Sequence, residues 1–374
     1  MKKKYQTIYD ELRAALRSGT YKPGDLLPSE TKLCDRYNAS RPTVAKALDL
    51  LKDEGAVERT AGYGTAVLSS ELTEKKKIGL LIPRLGRTEI FEPIVTAMAN
   101  ASEQYFMELI PPPHLPLSRS FEESTEYMCS RFIQDKVDGI IFTPVEHIEN
   151  GERFNQSILK RLKTNGIPVV LLDRDVVNWP QQTRNDMVSI NNIEAGFVVA
   201  QHLLEQGCSR MIFLTRPQPA MTVQLRIMGC REAMINAGYA PESLQTVEIA
   251  PGTELNAKHL TQHDADGLIC ANDATAAYAL RLLVDAGVDI PGSMRVAGFD
   301  DVKYASLLSV PLTTYHQPCN DIGKAAVDAI MHRIEHPEAA PHRATLQGKL
   351  IIRESTRGKI AKHRPLNKMS LCCH

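Results

Sequence analysis

Short apolar segments that alternate with helix-length segments occupy the chain from Ile78 to about residue 358. Seven of them are rich in β-branched residues and predict strands, over 78–82, 139–142, 169–172, 187–190, 211–214, 268–271 and 295–299. Helix-length segments such as 196–206 and 275–286 lie between them. This alternation is typical of parallel sheets that are covered on both faces. About 280 residues of it exceed a single core, so the sequence predicts an α/β fold with two lobes and a cleft between them.

The first 68 residues show a different pattern, three short helices followed by a hairpin. Apolar residues at helical spacing predict a helix over 5–18, and Ser29 is a suitable N-cap for a second helix that ends near Tyr37. Ser40 and Pro42 mark the start of a third helix. The solvent face of its N-terminal end carries polar and basic residues, as in helices that enter the major groove. Segments 56–60 and 65–68, joined by 61–64, predict the two strands of a wing.

This region resembles the GntR-type winged helix-turn-helix across residues 1–68. The resemblance is carried by spaced motifs, which include Leu27-Pro28-Ser29-Glu30, Ala39-Ser40-Arg41-Pro42-Thr43-Val44, Glu54-Gly55 and Gly62-Tyr63-Gly64-Thr65. In that family the starts of the second and third helices and the wing contact DNA. The matching positions here, with Lys46 added from the exposed face of the third helix, are Ser29, Ser40, Arg41, Thr43, Lys46, Gly62 and Gly64.

Two alternatives and two departures accompany this DNA-binding prediction. Ser40 has the alternative role of a helix cap alone, and Lys46 that of a solvated surface charge. The family often has basic residues where this chain has Thr31 and Ala45. The operator sequence is therefore left open.

The larger region resembles the effector domain of the LacI-type family, which shares the type I fold of periplasmic sugar-binding proteins. The motifs lie in order along residues 77–358 and include Val137-Asp138-Gly139, Ala271-Asn272-Asp273, Gly298-Phe299-Asp300-Asp301, Pro311-Leu312-Thr313-Thr314 and Arg353-Glu354-Ser355-Thr356. A winged helix joined to such a domain resembles the arabinose-repressor architecture. The predicted boundaries are 1–68 for the DNA-binding domain, 69–77 for a linker, 78–358 for the effector domain and 359–374 for a tail. Within the effector domain, lobe 1 is predicted at about 78–188 and 318–343, and lobe 2 at about 189–315 and 344–358.

Polar residues that directly follow predicted strands supply the candidate effector site. Asp173, Asn272 and Asp300 each come after an apolar strand, and ligands bind at the carboxyl ends of parallel strands. With Arg226 they offer the donors and acceptors that hydroxyl groups require, and the resemblance implies sugar or purine contacts at these positions. Arg84 and Arg174 are added as further candidates. Open alternatives are a capping role for Asp273 and for Asp300 or Asp301, a structural ion pair for Arg226, and either packing or sugar stacking for Trp179.

These features predict a DNA-binding transcription regulator, most simply a cytoplasmic homodimeric repressor that a sugar releases from operator DNA. A nucleoside- or purine-responsive regulator and a solute-binding protein without DNA function are the alternatives, and corepression or activation by the effector is left open. The formal net charge is +0, but residues 1–68 carry 12 Lys and Arg against 9 Asp and Glu, a mildly basic balance. No cofactor, metal site, membrane span or catalytic residue set is expected, and the scattered cysteines are expected to be reduced thiols.

Overall fold

The computed structural model describes residues 3–60, 62–69, 75–83, 85–86, 89–113, 116, 119–250, 255–261 and 264–358. These residues fall into two compact units, one within Met1–Ile78 together with Ser102–Leu109, the other within Gly79–Ala101 and the residues from Ile110 onwards. Among the described residues, none of the helices is both long and apolar enough to cross a membrane.

The first unit contains three helices and a two-stranded wing, as the sequence predicts. The elements are α1 (Lys4–Arg17), α2 (Glu30–Tyr37), α3 (Arg41–Asp53), β1 (Val57–Thr60) and β2 (Gly64–Val67). Ser29 caps α2, where its hydroxyl accepts from the Lys32 amide at 3.4 Å. Residues at helical spacing, which include Leu12, Leu48 and Leu51, are fully buried in the shared core. The apolar periodicity therefore fixes which face of each helix remains free.

The remaining strands form two six-stranded sheets, which lie in the second unit apart from the first part of β3 and most of β4. The order of the first sheet is β13-β7-β6-β5-β3-β4, from strands β3 (Lys76–Leu81), β4 (Met107–Ile110), β5 (Gly139–Phe142), β6 (Val169–Leu172), β7 (Asp186–Ile190) and β13 (Arg343–Leu346). The order of the second is β14-β12-β11-β10-β8-β9, from β8 (Met211–Thr215), β9 (Leu244–Glu248), β10 (Gly267–Cys270), β11 (Arg295–Asp300), β12 (Thr313–His316) and β14 (Lys349–Ile351). Strand β7 pairs in parallel with β13 and β6, and β6 with β5; in the second sheet β8 pairs in parallel with β9 and β10, and β11 with β10 and β12, whereas β14 runs antiparallel to β12. The predicted α/β class with parallel sheets is confirmed.

Helices connect these strands. They are α4 (Phe91–Ala101), α5 (Phe121–Gln134), α6 (Gly151–Thr164), α7 (Asn192–Glu205), α8 (Met221–Asn236), α9 (Ala257–Thr261), α10 (Asp273–Asp285) and α11 (Cys319–Glu335). Each sheet has its own apolar core, centred on residues such as Phe132 and Phe142 for the first and Leu268 and Leu280 for the second.

Five strands were absent from the sequence prediction, namely β4, β9, β12, β13 and β14. Four of them are the outer strands of the two sheets, and their side chains are half-exposed or alternate in burial. Such short edge strands lack the continuous apolar pattern of central ones. The predicted boundaries between lobe 1 and lobe 2, at 188/189 and 343/344, fall inside strands β7 and β13. Both strands belong to the first sheet, so these two boundaries divide strands of one sheet. The predicted linker and tail lie largely or wholly outside the described residues.

Candidate DNA-binding surface and effector cavity

The residues predicted to contact DNA lie on the exposed side of the first unit. Arg41 and Lys46 on α3 are exposed, as are Ser29 and Ser40 at the helix starts, whereas Thr43 is half-buried. Gly62 and Gly64 flank the exposed wing tip with φ of +81° and +114°, a backbone region that favours glycine. Contact with DNA by these seven residues remains a prediction.

The side chains of Ser40, Thr43 and Lys46 have partners within the unit. The Ser40 hydroxyl lies 2.8 Å from that of Thr43 and makes no hydrogen bond to a helix amide, so its role is not that of a simple cap. The Lys46 ammonium sits 4.5 Å from the centre of the Tyr5 ring on α1. This contact restrains a side chain that sequence alone left open as a solvated charge.

Arg59 on β1 ties the wing to both neighbouring helices. Its guanidinium forms ion pairs with Asp49 on α3 and with Glu30 at the start of α2. A planar fork of donors can hold two carboxylates in fixed directions. Arg59 therefore positions the wing relative to the helices that carry Ser29 and Arg41.

In the second unit, a cavity of about 370 Å³ opens at the carboxyl ends of strands from both sheets. It holds Asp173 and Arg174 after β6, Asn272 after β10, Asp300 at the end of β11, and Arg226 from α8. The described candidates for the effector site therefore line one cavity, whereas Arg84 lies outside the described residues. Other lining residues, which sequence analysis did not single out, include Glu89, Phe91, Phe121, Glu146, His147, Arg216, Thr222 and Gln317.

Arg226 is buried and held from three directions. Its Nε donates to Asn192 Oδ1 at 2.9 Å, and one terminal nitrogen donates to the Ala271 carbonyl at 2.9 Å. The guanidinium lies 4.5 Å from the centre of the Phe299 ring. The partners that hold the Arg226 guanidinium are an amide oxygen, a carbonyl oxygen and an aromatic face, none of which carries a charge. This arrangement differs from the structural ion pair that the sequence left open. A donor held this way is pre-organised for a ligand.

Two glycines permit this placement of Arg226. A Cβ on Gly196 of α7 would lie 2.0 Å from the Arg226 carbonyl oxygen, and one on Gly229 of α8 would lie 1.9 Å from the Ile193 carbonyl oxygen. Helices α7 and α8 therefore cross at a distance that no larger residue allows. This close approach brings the Arg226 side chain to Asn192 at the start of α7.

Asp173 and Arg174 form a charged pair at the wall of the cavity. Arg174 donates to Asp173 Oδ2 from Nε at 2.9 Å and from Nη2 at 2.7 Å, and it also pairs with Glu146. Two carboxylates thus hold one buried guanidinium, which leaves this cluster with a formal excess of one negative charge. Asp173 has a φ of +71°, a conformation that asparagine and aspartate adopt more readily than most residues.

Asp300 is the carboxylate most affected by its surroundings. Burial raises its pKa to about 6, against the attraction of Arg226 and the hydrogen bond that Gln317 donates to its Oδ1 at 2.8 Å. Its φ of +110° places it in a strained region of backbone space. The Asp300 carboxylate is thus a poorly hydrated hydrogen-bond acceptor that lines the cavity. This placement differs from that of a simple helix or turn cap.

Asn272, rather than Asp273, caps the helix that follows β10. The Asn272 side chain caps α10 by accepting from the Thr275 amide at 2.9 Å, whereas Asp273 was expected to be the cap. Asp273 is fully buried instead, accepting from the Thr314 hydroxyl at 2.6 Å and the Val302 amide at 3.1 Å. Because the Asn272 oxygen serves the helix, its amide nitrogen is the group left for a ligand.

Two hydrogen bonds beside the cavity connect the part of the second unit around the first sheet with the part around the second sheet. His147, after β5, contacts the Pro217 carbonyl at 3.1 Å, and the Tyr304 hydroxyl donates to Glu89 at 3.2 Å. Gln317 follows β12 and was detectable by the same strand-end rule that found Asp173. Glu89 and His147 had no comparable signal, because they come from loops whose paths only the fold defines.

Comparison with known proteins agrees with this division. The family described as bacterial regulatory proteins, gntR family, matches residues 4–67, and a periplasmic binding protein-like domain matches residues 200–356. The ribose operon repressor of Escherichia coli (strain K12) is 29% identical over 232 residues, which cover 60% of this chain and 66% of that repressor. The alignment therefore spans just under two thirds of the repressor's length.

Two further similarities extend over more of the chain or the fold. An arabinose metabolism transcriptional repressor of Halalkalibacterium halodurans is 24% identical over 375 residues, covering 95% of this chain and 97% of its own length. The crystal structure of a LacI family transcriptional regulator from Enterococcus faecalis V583 with bound ribose is 26% identical, with a TM-score of 0.60 over 75% of this chain and 98% of that one. The chain thus combines a region that matches the gntR family with a region that matches a periplasmic binding protein-like domain, and the fold of the larger region is similar to that of a LacI family regulator.

Proposed function

We propose that this protein is a repressor whose affinity for operator DNA is controlled by a neutral sugar bound in the cavity of the second unit. The observation that carries the proposal is the convergence of Asp173, Arg226, Asn272 and Asp300 on one cavity. We further propose that it acts as a cytoplasmic homodimer on a pseudo-palindromic site and catalyses no reaction. The similarity to repressors, rather than to enzymes, supports this last point.

The chemistry of the cavity fits a polyhydroxylated ligand. Carboxylate oxygens of Asp173 and Asp300 accept hydrogen bonds from hydroxyl groups, while Arg226 and the Asn272 amide donate to hydroxyl oxygens. Phe91 and Phe121 add apolar surface for the C–H faces of a sugar ring. A ribose-bound relative of the same fold supports a monosaccharide as the ligand.

Ligand binding between two halves of a domain provides a route to regulation. A sugar that contacts Asp173 from the first sheet and Asp300 from the second favours the arrangement in which these side chains are close. If this arrangement of the dimer binds the operator less well, the sugar lowers operator affinity, and operator DNA lowers sugar affinity by the same factor.

Two substitutions test the division of labour. Arg41→Ala should weaken operator binding at least tenfold in a gel-shift titration while leaving sugar affinity unchanged, because one charged DNA contact is lost. Arg226→Ala should weaken sugar binding at least tenfold while leaving operator binding by the sugar-free protein unchanged. Lys52→Ala on the same helix as Arg41, and Arg231→Ala on the same helix as Arg226, remove exposed charges and are the matched controls.

The outcomes separate the proposal from its alternatives. A thermal-shift screen of pentoses, hexoses and nucleosides should show stabilisation by a sugar, and stabilisation by nucleosides alone would replace the sugar with a purine ligand. Sugar binding without binding to any promoter fragment near its own gene would favour a solute-binding protein. Loss of both activities from either arginine substitution would contradict the assignment of separate sites.

A further inference from the structure

A second cavity, of about 310 Å³, adjoins the effector cavity at the Asp173–Arg174 pair. We call it the Trp179 cavity, because the side chain of Trp179 forms part of its wall and remains 50% exposed. Asp173, Arg174 and Thr222 line both cavities, and the remaining lining differs. We propose that the Trp179 cavity is a second binding site, for one neutral sugar or polyol, distinct from the effector cavity.

The lining of the Trp179 cavity combines apolar and polar groups, and a sugar ring has both C–H faces and hydroxyl groups to match them. Side chains of Met187, Ile190, Met221 and Leu225 give it an apolar part, and Gln181, Gln182, Asn191 and Thr345 give exposed polar groups. The indole of Trp179 offers a flat face for the C–H groups of a ring, and the amides suit its hydroxyls.

The charge balance of this cavity favours a neutral ligand. Its charged lining residues form two ion pairs, Arg174 with Asp173 at 2.7 Å and Arg343 with Asp175 at 2.8 Å. Neither guanidinium is therefore left to neutralise a phosphate or carboxylate of the ligand.

The loop that carries Trp179 is held in place before any ligand arrives. Asp175 accepts hydrogen bonds from the Val176 amide at 2.7 Å, from the Thr183 hydroxyl at 2.8 Å and amide at 3.1 Å, and from Arg343. A buried carboxylate with this many donors fixes both ends of the loop between β6 and β7. The exposed indole is thus presented by a rigid support, which lowers the entropic cost of binding.

The position of the Trp179 cavity couples it to the effector cavity. Ile190, Asn191 and Asn192 line it at the point where the chain passes from β7 into α7. Asn192 also accepts the hydrogen bond from Arg226 Nε. A ligand in the Trp179 cavity therefore contacts the segment that positions the main donor of the effector cavity, and binding at the two sites should be linked.

Intrinsic fluorescence tests this proposal directly, because Trp179 is the single tryptophan of the chain. The full-length protein is titrated with D-ribose, L-arabinose, D-xylose and D-glucose to 100 mM, with free N-acetyltryptophanamide as the control for bulk effects. We expect at least one of these sugars to change the emission with a saturable isotherm, and the midpoint of that isotherm to stay the same in Asp300→Asn, in which the affinity of the effector cavity is lowered.

Calorimetry with Trp179→Ala and Trp179→Phe completes the test. The alanine variant should lose the second site by at least tenfold in affinity, whereas phenylalanine, which keeps an aromatic face, should retain most of it. The proposal is overturned if no sugar alters the emission, or if the midpoint of the emission change rises in Asp300→Asn in step with the loss of effector affinity, since Trp179 would then report only on the effector cavity. An unchanged midpoint assigns the emission change to the Trp179 cavity whether or not the effector cavity has the function proposed above.

Discussion

Replacing Asp300 by asparagine should stabilise the protein at neutral pH, although Asp300 lies in the proposed effector site. The pKa of this carboxyl group is about 6 in the folded protein against 3.8 in the unfolded chain, because burial penalises its charged form. Each pKa unit corresponds to about 1.4 kcal/mol, so the ionised carboxylate lowers the free energy of unfolding by about 3 kcal/mol above pH 7. Asparagine keeps the oxygen that accepts from Gln317 and carries no charge.

The sign of the pH dependence follows from proton binding. Between pH 4 and pH 6 the folded protein binds more protons at this site than the unfolded chain, so the contribution of Asp300 to stability falls as the pH rises through this range. The advantage of Asp300→Asn should therefore be about 3 kcal/mol at pH 7.5 and shrink to about 1 kcal/mol at pH 4.5. Taking the difference between the two proteins at each pH removes the titration of all other groups.

Urea unfolding of both proteins at the two pH values, followed by Trp179 emission and far-UV circular dichroism, measures these differences. The same substitution should weaken sugar binding roughly 10- to 100-fold, because a charge-assisted hydrogen bond is worth about 1.5–3 kcal/mol. A variant that is less stable than the parent at pH 7.5, or whose advantage is the same at both pH values, would refute the argument. It would show that Asp300 is better solvated or better paired than the structure indicates.

Two further substitutions examine packing in each unit. Gly229→Ala should lower the free energy of unfolding by about 1–3 kcal/mol, because its Cβ would meet the Ile193 carbonyl oxygen, and it should also weaken sugar binding by displacing Arg226. Calorimetric unfolding measures the first effect and sugar titration the second. An unchanged melting temperature would contradict the close crossing of α7 and α8. Tyr9→Phe should cost about 1–3 kcal/mol in the first unit, because the buried carboxylate of Glu54 loses the hydrogen bond that the Tyr9 hydroxyl donates. Tyr63→Phe at the exposed wing tip is the matched control and should be neutral, so equal effects of the two tyrosine changes in scanning calorimetry would argue against the buried contact.

The unfavourable free energy of keeping Asp300 buried and strained is consistent with a switch that a ligand controls. Asp300 combines a raised pKa with a φ of +110°, and both features are unfavourable in the absence of a ligand. A sugar hydroxyl that donates to this carboxylate would offset part of the desolvation. Asp300 therefore destabilises the folded protein when no ligand is bound, and a ligand that pairs with it gains binding energy at this position.

The sequence by itself determined the order and type of the central elements and part of the lining of the effector cavity. Apolar periodicity and helix caps identified α1, α2 and α3, and short apolar runs identified the central strands, because these signals are local in the sequence. The rule that ligands bind at the carboxyl ends of parallel strands then selected Asp173, Asn272 and Asp300, which the structure brings to one cavity.

Tertiary structure alone decided which partners these side chains have. That Asn272 rather than Asp273 caps α10, and that Arg226 rests on Asn192, Ala271 and Phe299, depends on contacts between residues far apart in the chain. The edge strands and the loops carrying Glu89 and His147 were likewise invisible, since half-exposed segments have no distinctive local pattern. Whether Trp179 packs in the core or remains half-exposed beside a cavity is settled by burial, which local sequence does not encode.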